Sequence, residues 1–374
     1  MQTAKLIYDI PERNADLYYI TRFWAPDPVV FMECRGKRYL MLSDLEIDRA
    51  RKVAEVDHVL SMAEYIKRAG RIKKQAEFTD VIHALLKEHG VKRLIIPGRM
   101  SFELVDKLRR YGYRIKAGPT PFYQKRFIKT ADEKREIARI QRVIFEAIHY
   151  AKGILAKSRI KKDRLIFRGK PLTSEWLRQM INLFLLERGY QASDTIVSCG
   201  PHSIDPHDIG SGPLKPYQSI IIDVFPKSLK TLYYADATRT FCRGRAPEAL
   251  KRLYATVKEG QKLAISKIRA GVNGKAVHEA VHKFFAGRGY KTQEKNGRME
   301  GFFHSTGHGI GLELHEEPAR LGPRNFRLRV GNVVSVEPGL YYPGIGGVRI
   351  EDLVYVAKRG CEVLGSYPKH LEIL

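Results

Sequence analysis

The stretch from Phe302 to Pro318, F-F-H-S-T-G-H-G-I-G-L-E-L-H-E-E-P, places His304, His308 and His315 within twelve positions and sets Gly307, Gly309 and Gly311 among them. Glycines that dense permit positive φ and let the backbone come close to a bound group. Imidazoles in such a setting suit metal ligation or proton transfer. Four carboxylates stand in apolar surroundings elsewhere: Asp223 closes I-I-I-D, Asp236 sits in Y-Y-A-D-A-T-R-T, Glu337 in S-V-E-P-G-L-Y and Glu351 in G-G-V-R-I-E-D. A carboxylate at the end of a buried strand is costly unless its charge is matched. Each alone could serve an arginine, but four together with His308 point to a cation site. Such a donor set is rich in hard oxygen. It suits Mn²⁺, Co²⁺, Fe²⁺ or Zn²⁺ with bridging carboxylates more than a thiolate zinc site. Two cations roughly 3.5–4 Å apart lower the pKa of a shared water and clamp the oxygen under attack.

These residues need a scaffold, and the chain divides near residue 126. Residues 1–125 read as an alternating α/β layer. Short β runs at 29–32 and 38–42 flank Arg35-Gly36-Lys37, a plausible hairpin turn. Helical spacing marks 47–54, 78–89 and 104–111. Leu94-Ile95-Ile96 before Pro97-Gly98 signals a buried strand and its turn. Beyond Ala117-Gly118-Pro119-Thr120-Pro121, Thr130 and Glu133 form a capping-box signature opening a long amphipathic helix over 133–155. Further helices are expected over 174–188, 247–269 and 275–286, with Pro247 suited to a first turn. Strands are expected at 219–224, 232–234, 333–336 and 348–356. Two helices then strands, twice over, suggest a duplicated α/β half in residues 126–374.

Size and composition fit two domains of a soluble globular protein. The chain has 374 residues, 44% apolar and 29% charged. No apolar run reaches membrane-span length, and the first residues lack the pattern of a signal peptide. Four cysteines without C-x-x-C spacing (Cys34, Cys199, Cys242 and Cys361) read as free thiols of a reducing cytoplasm. The net charge of +25 is spread along the chain, as in Lys67-Arg68, residues 71–74, Lys92-Arg93 and Arg109-Arg110. With no aromatic-interleaved tract or nucleic-acid motif beside it, this charge reads as a diffuse surface trait rather than a dedicated binding face. A second motif competes for the metal. His278-Glu279-Ala280-Val281-His282 is a formal H-E-x-x-H, with Glu300 downstream as a possible third ligand. The alternative for these histidines is a solvated place on an amphipathic helix.

The motifs Asp223, D-A-T-R-T-F at 236–241, G-H-G-I-G at 307–311, E-P-G at 337–339 and G-V-R-I-E-D at 347–352 resemble, in order and rough spacing, the pita-bread-fold metallopeptidases: methionine aminopeptidase, aminopeptidase P and prolidase. The resemblance covers about residues 130–374, and the amino-terminal α/β region is similar to that of the creatinase, prolidase and aminopeptidase P branch. It implies a creatinase/prolidase-like domain at 1–125 and a pita-bread catalytic domain at 126–374 with pseudo-twofold halves. It also implies a cytoplasmic exopeptidase, dipeptidase or aminopeptidase, acting on peptides with proline after the first residue. Such enzymes carry two divalent ions, Mn²⁺ or Co²⁺ foremost, and form homodimers. By the same resemblance, Asp223 would hold the first metal, Asp236 and Glu351 would bridge, and His308 and Glu337 would complete the second. A bridging hydroxide would attack the peptide carbonyl, Glu337 would accept its proton, and His304 and His315 would steady the peptide and the tetrahedral intermediate. His207 and Arg349 would face the substrate. The spacing from Asp223 to Asp236 is two residues longer than the family's usual one, with Phe225-Pro226 where a small residue is usual. A hairpin tip could absorb the extra length. Some relatives lack metals, and a non-catalytic module binding nucleic acid or a protein partner is the alternative reading.

Overall fold

The computed structural model describes residues 2–72 and 76–374; Lys73 and Lys74 of the basic run lie outside the described residues. Chain contacts separate two compact units, Met1–Arg126 and Phe127–Leu374.

The first unit is built on one mixed sheet of six strands. In spatial order these are His58–Ser61, Lys37–Leu42, Val29–Cys34, Gln2–Asp9, Val91–Ile96 and Arg114–Ala117. Gln2–Asp9 is antiparallel to Val29–Cys34 and parallel to Val91–Ile96. The expected hairpin turn is present, with Arg35 and Gly36 both at positive φ. Among the described residues five helices cover the sheet, and Leu6, Met32, Met41, Leu85 and Leu94 are buried between layers. Two of these helices, Ala15–Thr21 and Met62–Ile72, escape the sequence pattern. The first is only two turns long, and the second follows its strand with no intervening turn residue.

The second unit repeats an order of two helices followed by strands. Ala131–Lys157 and Ser174–Leu186 precede a sheet ordered Ile196–Cys199, Ile220–Val224, Ala237–Arg243 and Glu372–Ile373. Glu248–Lys267 and Gly274–Gly287 precede a sheet in which Val333–Val336 pairs with Asp352–Ala357, and that strand with Gly360–Val363. The long first helix begins as its sequence requires. Thr130 accepts from the Glu133 N–H at 3.2 Å, and the Glu133 carboxylate accepts from the Thr130 N–H at 2.8 Å. Its inward stripe, Ile137, Ile140, Ile144, Ile148 and Ala151, is fully buried.

Three expectations need correction. Residues 232–234 are not a strand: Leu232 has φ 59, and Tyr234 makes a lone bridge to Lys227. The run 348–356 is two strands, Gly346–Arg349 and Asp352–Ala357, which belong to different sheets and part at Ile350-Glu351. The link between Asp223 and Asp236 is no plain hairpin tip. Within it, Lys227–Ser228 pairs with Tyr190–Gln191 in a second small sheet. Its stems remain in register, with Asp223 opposite Thr238 and Val224 opposite Ala237.

Candidate metal centre

Asp223 lies in the strand Ile220–Val224, between Ile196 on one neighbour and Thr238 on the other. Asp236 immediately precedes the strand that carries Thr238. Glu337 follows Val333–Val336 directly, and Glu351 occupies the gap between two strands. His308 ends the two-residue strand Gly307–His308, which is held by Leu321 and Arg320. All five, with His207, His304, His315 and Arg349, line one cavity of about 540 Å³. Its other walls include Ile196, Pro206, Phe225, Leu314 and Pro323, with Arg320, Arg324 and Glu317 among the charged lining groups.

Gly307, Gly309 and Gly311 have no positive φ. Their small size is required by close approach instead. A Cβ on Gly307 would lie 1.9 Å from the Ser335 carbonyl oxygen, and one on Gly309 would lie 2.2 Å from that of Glu316. The glycines therefore let the histidine loop press against its own neighbours.

The donor atoms fit a cation. One ligand atom each from Asp236, His308 and Glu351 lies within 4.8 Å of the others, the one such group found among the described residues. The His308 Nδ1 lies 3.0 Å from the Gly309 carbonyl oxygen and donates to it, which leaves Nε2 as a bare acceptor. That Nε2 faces Glu337 Oε1 at 3.3 Å and Asp236 Oδ2 at 3.7 Å, so three donor atoms converge on one point. Burial lowers the pKa of His308 and keeps the ring neutral. Asp223 Oδ1, Asp236 Oδ1 and Glu351 Oε1 are buried without a hydrogen-bond partner. An orphaned buried carboxylate oxygen costs more than a kcal/mol, of order 1–3 or above, and three in one cavity call for a positive charge.

The protein alone does not supply that charge in full. Burial, then repulsion from Glu351, Asp223 and Glu337, pushes Asp236 well above the carboxylate range; burial and the same neighbours do so for Glu351. Burial lifts Glu337 to about 7, against the opposing pull of Arg349.

Arg349 and His304, expected to face the substrate and to steady the peptide, line the cavity and are also hydrogen-bonded within the protein. Arg349 donates to Asp223 Oδ2 at 2.7 Å, to the Tyr341 hydroxyl at 2.8 Å and to Thr238 Oγ1 at 3.3 Å. His304 places Nε2 3.0 Å from the Tyr341 hydroxyl and Nδ1 2.7 Å from the Ser305 carbonyl. Burial, then the Arg349 charge, takes His304 down to about 3, so the ring is a neutral acceptor for the tyrosine proton. His315 is exposed and stands edge-on to His308, ring centres 4.3 Å apart. His207 is exposed on the opposite loop, its N–H donating to Asp205.

Several supporting groups escaped notice. Tyr341 joins His304 to Arg349. Thr238 donates to Glu351 Oε2 at 2.9 Å, and Ser335 donates to Glu337 Oε1 while accepting the His308 N–H. Arg239, fully buried, donates to the Glu351 carbonyl and to Asp352. Tyr341 stands four positions after Glu337, on the same motif, and that proximity was the available signal. The H-E-x-x-H histidines form no metal group with Glu300 among the described residues. His278 instead sits 3.0 Å from the Thr306 hydroxyl and packs on Phe302; Glu300 accepts from Gln293. His278 is therefore a half-buried brace of the site loop rather than the solvated residue expected.

The chain is 28% identical over 324 residues to the Xaa-Pro dipeptidase of Pyrococcus horikoshii, an alignment covering 85% of this chain and 84% of that one. It is 34% identical over 196 residues to an uncharacterized peptidase of Bacillus subtilis. There it spans about half of each, 52% of this chain and 53% of the relative. The X-Pro aminopeptidase structure from Thermotoga maritima superimposes with a TM-score of 0.82 at 24% identity, over 100% of this chain and 98% of that one, which establishes the shared pita-bread fold with its amino-terminal α/β unit. The model of metallopeptidase family M24 matches residues 133–358 and takes in the five carboxylate and histidine positions described above. With that match over more than half its length, the chain belongs to metallopeptidase family M24.

Proposed function

We propose that this chain is a dinuclear-metal exopeptidase cleaving Xaa-Pro bonds, with residues 1–125 as the creatinase/prolidase-like domain and 126–374 as the catalytic domain. The observation that carries the reading is the convergence of His308 Nε2 and the carboxylates on one point of the cavity, three carboxylate oxygens there being orphaned. The names of the Pyrococcus and Thermotoga relatives support the Xaa-Pro class. So do the apolar walls, where Ile196, Phe225, Leu314 and Pro323 suit a proline ring.

Asp223, Asp236, His308, Glu337 and Glu351 would hold two divalent ions, Mn²⁺ or Co²⁺ foremost. Bound there, the ions supply an electrophile for the peptide carbonyl and an acidified water. Glu337 would accept a proton from that water and pass it to the leaving amine. His315 and His207 reach the cavity with ring atoms for the peptide. Arg349 fixes the Asp223 carboxylate, and His304 holds Tyr341 so that Arg349 keeps its angle. We assign the cytoplasm and a homodimer to the working enzyme. No helix among the described residues is long and apolar enough to cross a membrane.

The test is metal analysis of the protein as isolated, paired with hydrolysis of Xaa-Pro dipeptides and tripeptides after adding Mn²⁺ or Co²⁺ to metal-free protein. Turnover is expected only with metal. Inactivity on every Xaa-Pro peptide with every divalent ion overturns the proposal, and the dipeptide-to-tripeptide ratio separates dipeptidase from aminopeptidase. Sedimentation gives the oligomeric state.

A further inference from the structure

The loop that carries His315 is tied down by an ion pair outside the five motifs. Lys129 Nζ donates to Glu316 Oε2, and each side chain is only 2% exposed. Glu316 follows His315 directly, while Lys129 lies 187 positions earlier, in the segment leading into the helix Ala131–Lys157. The Glu316 carboxylate is also wired to its own loop. Oε1 accepts the Leu312 N–H at 3.2 Å, and the Glu316 N–H donates to the Gly309 carbonyl at 2.8 Å. The carboxylate fills the place where a Cβ on Gly311 would stand, 2.6 Å away. At the other end, the Lys129 N–H donates to the Gly331 carbonyl at 2.7 Å. The Asn332 side-chain amide donates to the Phe127 carbonyl at the same distance. Lys129 is thereby fixed to the entry of Val333–Val336, the strand that delivers Glu337.

We propose that Lys129 and Glu316 are positioning residues for His315. The pair sets the height of the 309–316 loop, and so of the His315 ring beside His308, relative to the strand that carries Glu337. Two charges withdrawn from water are an expensive way to fasten a loop, because desolvation offsets much of their attraction. What a buried pair gives in return is one geometry. Its partners are directional, and any other loop height leaves a charge unmatched. Plain apolar packing would tolerate sliding, which an exposed imidazole adjacent to the fastening could not.

The inference rests on the peptidase reading for its kinetic arm only. Glu316→Gln, which keeps an acceptor for Leu312, and Lys129→Met should each lower kcat on an Xaa-Pro dipeptide at least tenfold with metal content unchanged. In a His315→Ala background the same changes should cost less than twofold, since their route of action is gone. An equal loss in both backgrounds, or no loss in either, overturns the proposal. The second arm uses metal-free protein with labelled histidine: the His315 ring signals should shift in Glu316→Gln while those of His278 stay in place. Unmoved His315 signals overturn the proposal whether or not the wild type hydrolyses peptides. A wild type inactive with metal would instead sink the peptidase reading and leave this arm to decide.

Discussion

The first unit and the surroundings of the cavity in the second handle charge in opposite ways. Among the described residues of Met1–Arg126 most ion pairs stand in water: Arg68–Glu88 at 2.7 Å is 48% and 46% exposed, while Arg126–Asp16 is buried. Around the cavity of Phe127–Leu374, Arg239–Asp352 is 1% and 3% exposed and Arg349–Asp223 4% and 11%. Exposed pairs contribute little because water screens them. Buried ones must be matched completely, and the carboxylates facing the cavity are not. The difference teaches where to look for function: charge placed at a loss to stability, and left partly unmatched, marks the site.

That contrast can be broken in order of size. Asp236→Ala removes a carboxylate at the centre of the repelling group and should abolish turnover, read as kcat together with metal stoichiometry. Wild-type kcat would refute its role. Arg239→Met leaves Asp352 with the loss of a buried partner, although Lys369 and Gln261 still donate to it. Urea unfolding should show a loss of about 3–5 kcal/mol, and a loss below 1 would mean that those two donors suffice. The pH dependence comes next. Glu337 has its folded-state pKa raised from the usual range to about 7, and Asp236 and Glu351 are raised too, while burial lowers His278, His304, His308 and His315. The two sets oppose each other below the ordinary histidine value, and above it the carboxylates alone make the folded metal-free protein bind more protons than the unfolded chain. Its stability should therefore fall as pH rises upward from about 7. A divalent cation should flatten that decline, as followed by thermal unfolding at several pH values; a metal-free profile rising over this window would contradict the sign. The smallest effect belongs to the first unit, where Arg68→Ala should change unfolding free energy by no more than about 1 kcal/mol.

Much of this was legible in the sequence, for identifiable reasons. The helix over 133–155 announced itself through its cap and stripe, and the four carboxylates through apolar neighbours that gave them no local reason to be there. What stayed hidden depends on segments meeting. Tyr341 and Thr238 are ordinary strand residues until Arg349 lies between them. Lys129 reads as one lysine among many until Glu316 arrives. Residues 232–234 look like a strand because Leu, Tyr and Tyr favour one, but a left-handed Leu232 and a competing pairing at Lys227 prevent it. The glycines at 307, 309 and 311 suggest left-handed freedom, but what they provide is room for the Ser335 carbonyl, the Glu316 carbonyl and the Glu316 carboxylate in turn.

Glu351 sits in the seam between Gly346–Arg349, which pairs with Gly339–Tyr342, and Asp352–Ala357, which pairs with Val333–Val336. Its carboxylate arrives only when both sheets have closed, and Asp223 reaches the same spot from a third. A cation held by these groups would therefore bind the assembled sheets rather than any one of them. Because the unfolded chain leaves these acids scattered, an ion bound to the assembled set would add its binding free energy to the stability of the fold.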